Sequence, residues 1–415
     1  MQEMRLSINP HVALARCSRT GRDQNADWNA PLGLCGCCGP PGSPVVLEYD
    51  LPAIEATGAA LFEAAPGPGI WRFAALLPVH GVTPSYAADV GRTPTVLHER
   101  LGDELQVELW LKGEAANPSG SFKDRGLAVG IALGCALGAE RFCLPTQGSA
   151  GVAAALFSAR LGLPACLVYM PDSQRGSVYH RGALHFGAEV RFAGSNIAEA
   201  GAAMRRECAA ELESGARSDI STFFEPGRLE GKKTLGLEIF EHFGASGLPE
   251  LILYPTGGGT GLVGIWKALR ELCELGRIDA ELQRLPRMIA VQSERCAPVV
   301  DAFERGLEQV EPVVSRGTIA DGLDVPAAIM GHAILASLRE SGGSAVRVSD
   351  EEIERDYAAC GRAGIPAGYE SAATLSALRQ LLASGDLRRG ARVLALLTGS
   401  QLVALGAAGA SAQSP

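Results

Sequence analysis

The residue with the most distinctive chemistry is Lys123, which lies in the segment NPSGSFKDRG at 117–126. A Pro-Ser-Gly turn delivers this lysine to the start of a helix of small residues, near oriented backbone N–H groups and the positive end of a helix dipole. That field disfavours the ammonium form and helps the amine act as a nucleophile toward an aldehyde. The alternative is an ordinary solvated lysine flanked by Asp124 and Arg125.

Three further segments follow predicted strands and could line the same site. TQGSAG at 146–151 and PTGGGTGL at 255–262 each stand between an apolar strand and a helix, where backbone N–H groups bind carboxylates or phosphates. The glycine-rich segment at 255–262 is neither a Walker loop, because no Gly-Lys-Ser/Thr follows, nor a clean dinucleotide fingerprint. A phosphate-binding loop is the better interpretation. LTGSQ at 397–401 could add a hydroxyl group.

The elements that must position these segments alternate along the chain. Short apolar runs are separated by predicted helices of about 10–15 residues. This alternation predicts a two-lobed α/β protein in which parallel sheets are flanked by helices, with ligands beyond the carboxyl ends of the strands. The predicted strands include 107–112, 141–146, 188–194, 251–256 and 287–294, and the predicted helices cover 151–162, 174–186, 196–214, 260–275 and a patch around 52–65.

The composition excludes several classes of function. The chain has 415 residues, 47% of them hydrophobic, and a net charge of -9, so neither nucleic acid nor an anionic membrane is favoured as a partner. No apolar run approaches the roughly 20 residues that span a bilayer, and the N-terminal stretch lacks the apolar core of a secretory signal. We therefore expect a cytoplasmic enzyme that acts on a small molecule. Only five of the 37 basic residues are lysines, which makes each lysine more informative.

Together, these segments resemble the fold type II family of pyridoxal-phosphate (PLP) enzymes, and more narrowly the threonine synthase family. The likeness is specific at NPSGSFKDRG and at PTGGGTGLVGIWKAL, residues 255–269. EPGRLEGKKTLGLEI at 225–239 and TIADGLDVP at 318–326 also resemble threonine synthase segments. The resemblance covers residues 88–402 and implies a tryptophan synthase beta-like fold, PLP as the cofactor, an amino-acid substrate and a homodimer.

Matched residue by residue, the resemblance assigns roles within the site. Lys123 would hold PLP as a Schiff base and later move protons at the substrate carbons, and Phe122 would support the ring. Thr398 would hydrogen-bond the pyridine nitrogen. The phenolic oxygen of PLP would be bonded by Ser149, directly or through water, or otherwise by Gln147. The cofactor phosphate would be held by the backbone N–H groups of Gly257, Gly258, Gly259, Thr260 and Gly261. The substrate carboxylate would be bound by Thr146, Gln147, Gly148, Ser149 and Ala150.

The implied reaction removes phosphate from O-phosphohomoserine and adds water at Cβ to form threonine. Alternatives within the class remain open: β-replacement or elimination on another amino acid, such as O-phosphoserine in a reaction like that of cysteate synthase, or dehydration of serine or threonine. An alternative of another class is a catalytically silent paralogue that binds PLP for regulation. Retention of Lys123, the glycine loop and Thr398 argues against that alternative.

Three departures from the family pattern bear on the substrate. The loop that usually reads Ser-Ser-Gly-Asn-Ala-Gly has Gln147 and Ser149 in place of a small hydroxyl residue and the asparagine. In ADGLDVP at 320–326, Asp321 and Asp324 replace a serine and an arginine. Two carboxylates near the substrate would weaken a site for a dianionic phosphate, whereas an Asp324 that points to solvent would have no such effect. The usual Pro-Glu-Gly-Ala-Ala has become YESAA at 369–373.

The N-terminal cysteines form an incomplete zinc-ribbon pattern. Cys17 lacks its partner because Thr20 stands at that position, while CGCC at 35–38 supplies the other pair and one extra thiol. The matching ligands would be Cys17, Cys35 and Cys38, and Cys37 could complete a four-cysteine set. Because the spacing is poor for zinc, we expect no bound metal.

The predicted domain organisation combines these observations. Residues 1–48 form a Cys/Gly/Pro-rich segment similar to a degenerate zinc ribbon. Residues 49–119 and 226–405 form a large PLP-binding domain, and residues 120–225 form a small domain. Residues 406–415 are predicted to be a flexible tail.

Overall fold

The structure is a computed structural model that describes residues 6–24, 28, 32–39, 42–57, 61–62, 67–279 and 284–400. Its strands are β1 (Ser7–Ile8), β2 (Val12–Cys17), β3 (Val45–Tyr49), β4 (Val79–His80), β5 (Thr95–Leu97), β6 (Glu108–Gly113), β7 (Arg141–Pro145), β8 (Leu167–Met170), β9 (Glu189–Phe192), β10 (Arg217–Asp219), β11 (Leu251–Pro255), β12 (Arg287–Ser293), β13 (Ser344–Val348) and β14 (Arg392–Leu397). Its helices are α1 (Leu51–Ala56), α2 (Pro84–Ala87), α3 (Glu99–Leu105), α4 (Lys123–Ala136), α5 (Ser149–Arg160), α6 (Val178–His185), α7 (Ile197–Glu207), α8 (Ala209–Glu213), α9 (Gly227–Phe243), α10 (Thr260–Glu274), α11 (Pro298–Glu304), α12 (Gly331–Glu340), α13 (Asp350–Ala363) and α14 (Tyr369–Ser384). Short 3₁₀ helices cover Gly69–Leu76, Glu114–Ala116, Asp172–Gln174 and Asp321–Leu323. Within these described ranges, no helix is long and apolar enough to cross a membrane.

The chain divides into two compact units. The first contains the described residues up to Arg92 together with Lys123–Thr234, and the second contains Thr93–Phe122 together with the described residues from Leu235 onward. In the first unit, β10, β7, β8 and β9 form a parallel sheet, and β1 pairs with β4 and β2 with β3 in antiparallel ribbons. Apolar side chains of β7, β8 and α7 form a core against this sheet.

The second unit is built on a six-stranded sheet in the order β13-β12-β11-β14-β6-β5. All neighbouring strands are parallel except β5 and β6. The runs LILYP of β11 and VLALL of β14 are buried along their whole length, as expected for parallel strands that are covered on both faces. Helix α14 packs its apolar residues on one face of this sheet and so completes the main core of the unit.

The unit boundaries differ from the predicted domains. Residues up to Arg92 belong with the unit that contains 123–234, whereas the sequence placed 49–92 in the large domain. Hydrogen bonds explain the difference, because the Tyr86 hydroxyl donates to the carbonyl oxygen of Ala128 at 2.9 Å and Arg160 donates to the carbonyl oxygen of Tyr86 at 3.0 Å. The predicted tail at 406–415 lies outside the described residues.

Most predicted strands and helices are confirmed, with differences at their ends. The helix predicted at 196–214 is interrupted at Cys208, whose ψ of 6° ends α7 before α8 begins. The helix predicted at 174–186 begins only at Val178, where the Ser177 hydroxyl accepts a hydrogen bond from the N–H of His180. The helical patch predicted around 52–65 ends at Ala56, and part of it lies outside the described residues.

Helices α4 and α9 approach each other closely in the first unit. A Cβ atom at Gly126 would lie 3.2 Å from Cε of Lys232, and a Cβ atom at Gly231 would lie 2.0 Å from the carbonyl oxygen of Arg125. Arg125 is fully buried and donates a 3.0 Å hydrogen bond to the hydroxyl of Thr234. The two glycines therefore allow the segment EGKKT to pack against the first turn of α4.

We predict that Gly231→Ala destabilises the protein by about 2–3 kcal/mol, because an added methyl group at a closely packed contact typically costs about 1–3 kcal/mol. Gly361→Ala is a matched control, since it lies in α13 and a Cβ atom there meets nothing within 4 Å. The control should be neutral or slightly stabilising, because alanine favours a helix over glycine. Urea unfolding followed by circular dichroism measures both effects, and equal stabilities would contradict the close packing.

Candidate active site

The turn before Lys123 is tied by its backbone to the end of β14. The N–H of Phe122 donates to the carbonyl oxygen of Thr398 at 3.2 Å, and Ser121 forms a bridge with Gly399. Lys123 is the next residue along the chain and begins α4. These backbone contacts fix the point at which the lysine enters the helix.

A buried carboxylate holds the start of the same turn. Glu114 is fully buried and accepts hydrogen bonds from Nδ2 of Asn117 at 3.0 Å and from the hydroxyl of Thr93 at 2.6 Å. Gly120 has a φ of +79°, a conformation that favours glycine, and its N–H donates to the carbonyl oxygen of Asn117. Sequence reasoning missed Glu114, because a glutamate directly after a strand is usually exposed.

Lys123 is not an ordinary solvated lysine. It is half-buried, and its neighbours Asp124 and Arg125 are fully buried against the interior of the first unit. Its place in the first turn of α4 exposes it to the positive end of the helix dipole, which disfavours a charged ammonium group. The position therefore suits a lysine that reacts as a neutral amine.

The glycine loop, residues 257–261, joins β11 to α10 in the second unit. A Cβ atom at Gly257 would lie 2.4 Å from the carbonyl oxygen of Gly322, and one at Gly261 would lie 1.9 Å from the hydroxyl oxygen of Tyr254. Gly259 caps α10 with a φ of +76°. The first turn of an α-helix leaves its N–H groups without partners in the helix, so this loop offers donors suited to an anion.

Three neighbouring parallel strands end beside one another in this unit. Strands β11, β14 and β6 are adjacent, and they lead into the glycine loop, Thr398 and Glu114 respectively. The rings of Phe122 and Tyr254 meet edge to face with their centroids 6.2 Å apart. The sheet therefore brings together the predicted cofactor residues Phe122, Gly257, Gly258, Gly259, Thr260, Gly261 and Thr398.

The loop between β7 and α5 lies in the first unit and contains the predicted carboxylate-binding residues. The N–H of Gly148 donates to the hydroxyl of Thr146 at 2.9 Å, which shapes a tight turn. A Cβ atom at Gly148 would lie 2.5 Å from the ring of Tyr179, so this ring covers the loop. Gln147 and Ser149 are half-buried. The role of Tyr179 was missed, because nothing in the sequence links α6 to the turn.

An acidic group adjoins the glycine loop. The N–H of Gly322, whose carbonyl oxygen packs on that loop, donates to Oε1 of Glu370 at 2.9 Å. Partial loss of hydration, together with the charges of Glu370 and Asp324, raises the pKa of Asp321 to about 6, although the residue is exposed. Asp324 accepts a hydrogen bond from the hydroxyl of Ser315 and is half-buried. The carboxylate at Asp324 is therefore held by Ser315 and is only partly exposed to solvent.

Comparison with known proteins identifies the family. A family model described as pyridoxal-phosphate dependent enzyme matches residues 86–399. The threonine synthase of Methanosarcina acetivorans is 32% identical over 339 residues, which cover 81% of this chain and 80% of that protein. The threonine synthase of Methanocaldococcus jannaschii is 30% identical over 391 residues, which cover 94% of this chain and 92% of that protein. The chain belongs to the threonine synthase family. It is a PLP-dependent lyase, as the sequence predicted.

Solved structures confirm the fold type II architecture. Maize serine racemase superposes with a TM-score of 0.63 at 19% identity and covers 74% of this chain and 88% of that chain. The processed form of threonine deaminase isoform 2 from Solanum lycopersicum superposes with a TM-score of 0.61 at 18% identity. The superposition covers 76% of this chain and 85% of the deaminase chain. At these identities, the likeness concerns the fold alone.

The glycine loop fits the phosphate of the cofactor that this threonine synthase family member uses. Close packing excludes a side chain at Gly257 and at Gly261, so at these positions the loop has only backbone polar groups. Such a cradle at a helix N-terminus is suited to a phosphate group. The predicted cofactor loop and the neighbouring Thr398 thus have the chemistry that PLP requires.

The four N-terminal cysteines lie close together in the structure, and the expectation of no bound metal stays a prediction. In the structure, strand β2 ends at Cys17 beside the start of β3, and the N–H of Cys35 donates to the carbonyl oxygen of Ser43 at 2.8 Å. This folding brings distant thiols together despite their irregular spacing along the chain. The four Sγ atoms that lie within 4.8 Å of one another are those of Cys17, Cys35, Cys37 and Cys38.

We predict that Gly257→Ala weakens PLP binding by about tenfold or more, because a displacement that costs about 1.4 kcal/mol already changes a binding constant tenfold. The added methyl group would meet the carbonyl oxygen of Gly322 and move the loop. Titration of the apoenzyme with PLP measures the dissociation constant, and Gly361→Ala again serves as the control. An unchanged dissociation constant for Gly257→Ala would contradict the role of the loop.

Proposed function

We propose that the protein converts O-phosphohomoserine and water into threonine and phosphate. The observation that carries this proposal is the likeness to a threonine synthase across 94% of the chain and 92% of that relative. The packed glycine loop and the helix that starts at Lys123 support it, because the loop precedes a helix N-terminus suited to a phosphate and Lys123 is the first residue of α4. The related enzymes that share only the fold do not support a different substrate at their low sequence identities.

Lys123 is the residue to which we assign covalent attachment and proton transfer. When bound, PLP withdraws electrons from the substrate and so makes its carbon-bound protons removable. Lys123 holds the cofactor as a Schiff base, and its freed amine then moves protons at Cα and Cβ of the substrate. The helix dipole and the half-buried position favour the neutral amine that this transfer needs.

Neutral and backbone groups hold the rest of the cofactor in this proposal. The N–H groups of residues 257–261 bind the phosphate, and Phe122 supports the ring. The hydroxyl of Thr398 bonds the pyridine nitrogen. Because a hydroxyl is neutral, it leaves that nitrogen largely unprotonated, which favours elimination or replacement over transamination.

The turn at 146–150 binds the substrate carboxylate in this proposal. Its backbone N–H groups lie at the start of α5, where an anion is stabilised, and Ser149 takes the place of the family's asparagine near the phenolic oxygen of the cofactor. Tyr179 keeps the turn in shape through its packing on Gly148. We also propose that the protein acts as a cytoplasmic homodimer, as its family resemblance implies.

We predict that Lys123→Ala lowers the rate of phosphate release from O-phosphohomoserine by at least about 10³-fold, because positioned acid–base groups contribute about 10²–10⁴-fold. Threonine formation should fall in parallel, since both products come from one reaction. Lys267→Ala is the matched control: Lys267 is the other lysine that is not fully buried, and it pairs with Glu271 in α10. Turnover of another amino acid by the parent protein, without phosphate or threonine from O-phosphohomoserine, would overturn the proposed reaction.

We predict that Asp321→Asn lowers the KM for O-phosphohomoserine at pH 8, because it removes a negative charge beside the glycine loop. Since the raised pKa of Asp321 is about 6, the carboxylate is charged well above that pH and increasingly neutral below it. The ratio of the two KM values should therefore approach one at pH 5. A KM ratio that does not change with pH would contradict an electrostatic effect of Asp321.

A further inference from the structure

The N-terminal segment contains four cysteines that the proposed reaction does not use. Cys17 ends β2, and the other three lie on the connection that leads to β3. Their Sγ atoms all lie within 4.8 Å of one another. Cys17 and Cys35 are buried, whereas Cys37 and Cys38 are half-buried. Four thiols that converge on one point provide the ligand number and softness of a structural metal site.

The sulfur atoms lie close enough together to share one ion, and four of their six separations are near the edge length of a tetrahedral zinc site. Cys17 lies 3.4 Å from Cys35 and 3.5 Å from Cys38, while Cys37 lies 3.5 Å from Cys35 and 3.9 Å from Cys38. A zinc–sulfur bond of about 2.3 Å places the corners of a regular tetrahedron about 3.8 Å apart. Each thiol contacts two others at similar distances, so no pair is singled out as a disulfide, whose sulfur atoms lie about 2.05 Å apart.

Backbone N–H groups donate hydrogen bonds to two of the four sulfur atoms. The N–H of Thr20 donates to Sγ of Cys17 at 3.4 Å, and the N–H of Ser43 donates to Sγ of Cys35 at 3.3 Å. Such donors to the ligand atoms stabilise the negative charge of thiolates and fix their direction. The cluster therefore has an outer shell as well as four ligands.

Thr20 and Cys37 explain how the set is completed without a second Cys-x-x-Cys pair. Thr20 stands three residues after Cys17, and its hydroxyl oxygen lies 3.4 Å from Sγ of Cys37. The thiol of Cys37 thus reaches the corner that a cysteine at position 20 would otherwise fill. One ligand comes from the end of β2, and three come from CGCC.

We propose that Cys17, Cys35, Cys37 and Cys38 bind one Zn²⁺ ion as a structural site. Binding releases the proton of each thiol that becomes a ligand, since zinc is bound by thiolates. The ion closes the long connection between β2 and β3, which are paired as a two-stranded ribbon. A ribbon of two strands is only marginally stable by itself in water, so the metal supplies stability that local packing lacks.

The ribbon in turn supports α9. The hydroxyl of Tyr49, the last residue of β3, donates to Oε2 of Glu230 at 3.0 Å, and Nζ of Lys233 lies 2.7 Å from the same oxygen. Nζ of Lys233 also lies 4.0 Å from the centre of the Tyr49 ring. Since α9 packs on the first turn of α4, loss of the metal should loosen this part of the first unit.

The test is metal analysis of the full-length, PLP-loaded protein, purified under reducing conditions and dialysed against a mild chelator. The parent protein should retain about one zinc ion per chain, and replacement by Co²⁺ should give the absorption of tetrahedral thiolate coordination. Cys37→Ser should bind Zn²⁺ at least about tenfold more weakly, since loss of even an outer-shell partner costs about 10–100-fold. The matched control is Cys273→Ser, a half-buried free thiol in α10.

The double variant Thr20→Cys/Cys37→Ser separates ligand loss from general damage. It moves the fourth thiol from position 37 to the neighbouring position 20, where it can bind the same ion, and should restore zinc binding. The visible band of bound PLP reports whether each variant is folded, and zinc content is compared only among variants that retain this band. Full zinc content in Cys37→Ser would overturn the ligand set. A parent protein that contains disulfides, no metal, or iron in place of zinc would overturn the zinc site, without bearing on the proposed reaction.

Discussion

The hydrogen bond from the N–H of Phe122 to the carbonyl oxygen of Thr398 determines where the candidate catalytic lysine can lie. It ties the turn that precedes Lys123 to the end of β14, and the bridge between Ser121 and Gly399 reinforces it. Because both partners are backbone groups, the link does not depend on any one side chain. The strand that ends just before Thr398 therefore also holds the turn that leads into α4. Movement of this turn would change the point at which the chain enters that helix.

The other recurring constraint is the absence of side chains at points of close approach. Gly231 lets α9 reach the backbone of Arg125, and Gly257 lets the glycine loop reach the carbonyl oxygen of Gly322. At Gly261, the hydroxyl of Tyr254 occupies the space that a methyl group would need. The first of these contacts supports the helix that begins at Lys123, while the other two shape the glycine loop. Helix packing and the shape of the loop thus rest on the same property of glycine.

Sequence patterns predicted the parts of this molecule that depend on local order. The apolar runs of β11 and β14, and the glycine loop before α10, follow directly from residue types in succession. Glu114 and Tyr179 were missed, because their partners lie on elements that only the fold brings near. The proximity of the four thiols was not predicted for the same reason. Cys17 and CGCC are far apart in the sequence, and the pairing of β2 with β3 is part of what brings them together. Asp324 was equally ambiguous until its hydrogen bond with Ser315 was seen.

The central claim is that Lys123 alone among five lysines holds the cofactor. Lys112, Lys232 and Lys233 are fully buried, and Lys267 pairs with Glu271. The most direct measurement is reduction of the PLP-loaded protein with borohydride, followed by proteolysis and mass spectrometry of every lysine-bearing peptide. We predict a phosphopyridoxyl group on Lys123 and on none of the other four lysines. A modified peptide that contains another lysine, with Lys123 unmodified, would contradict it.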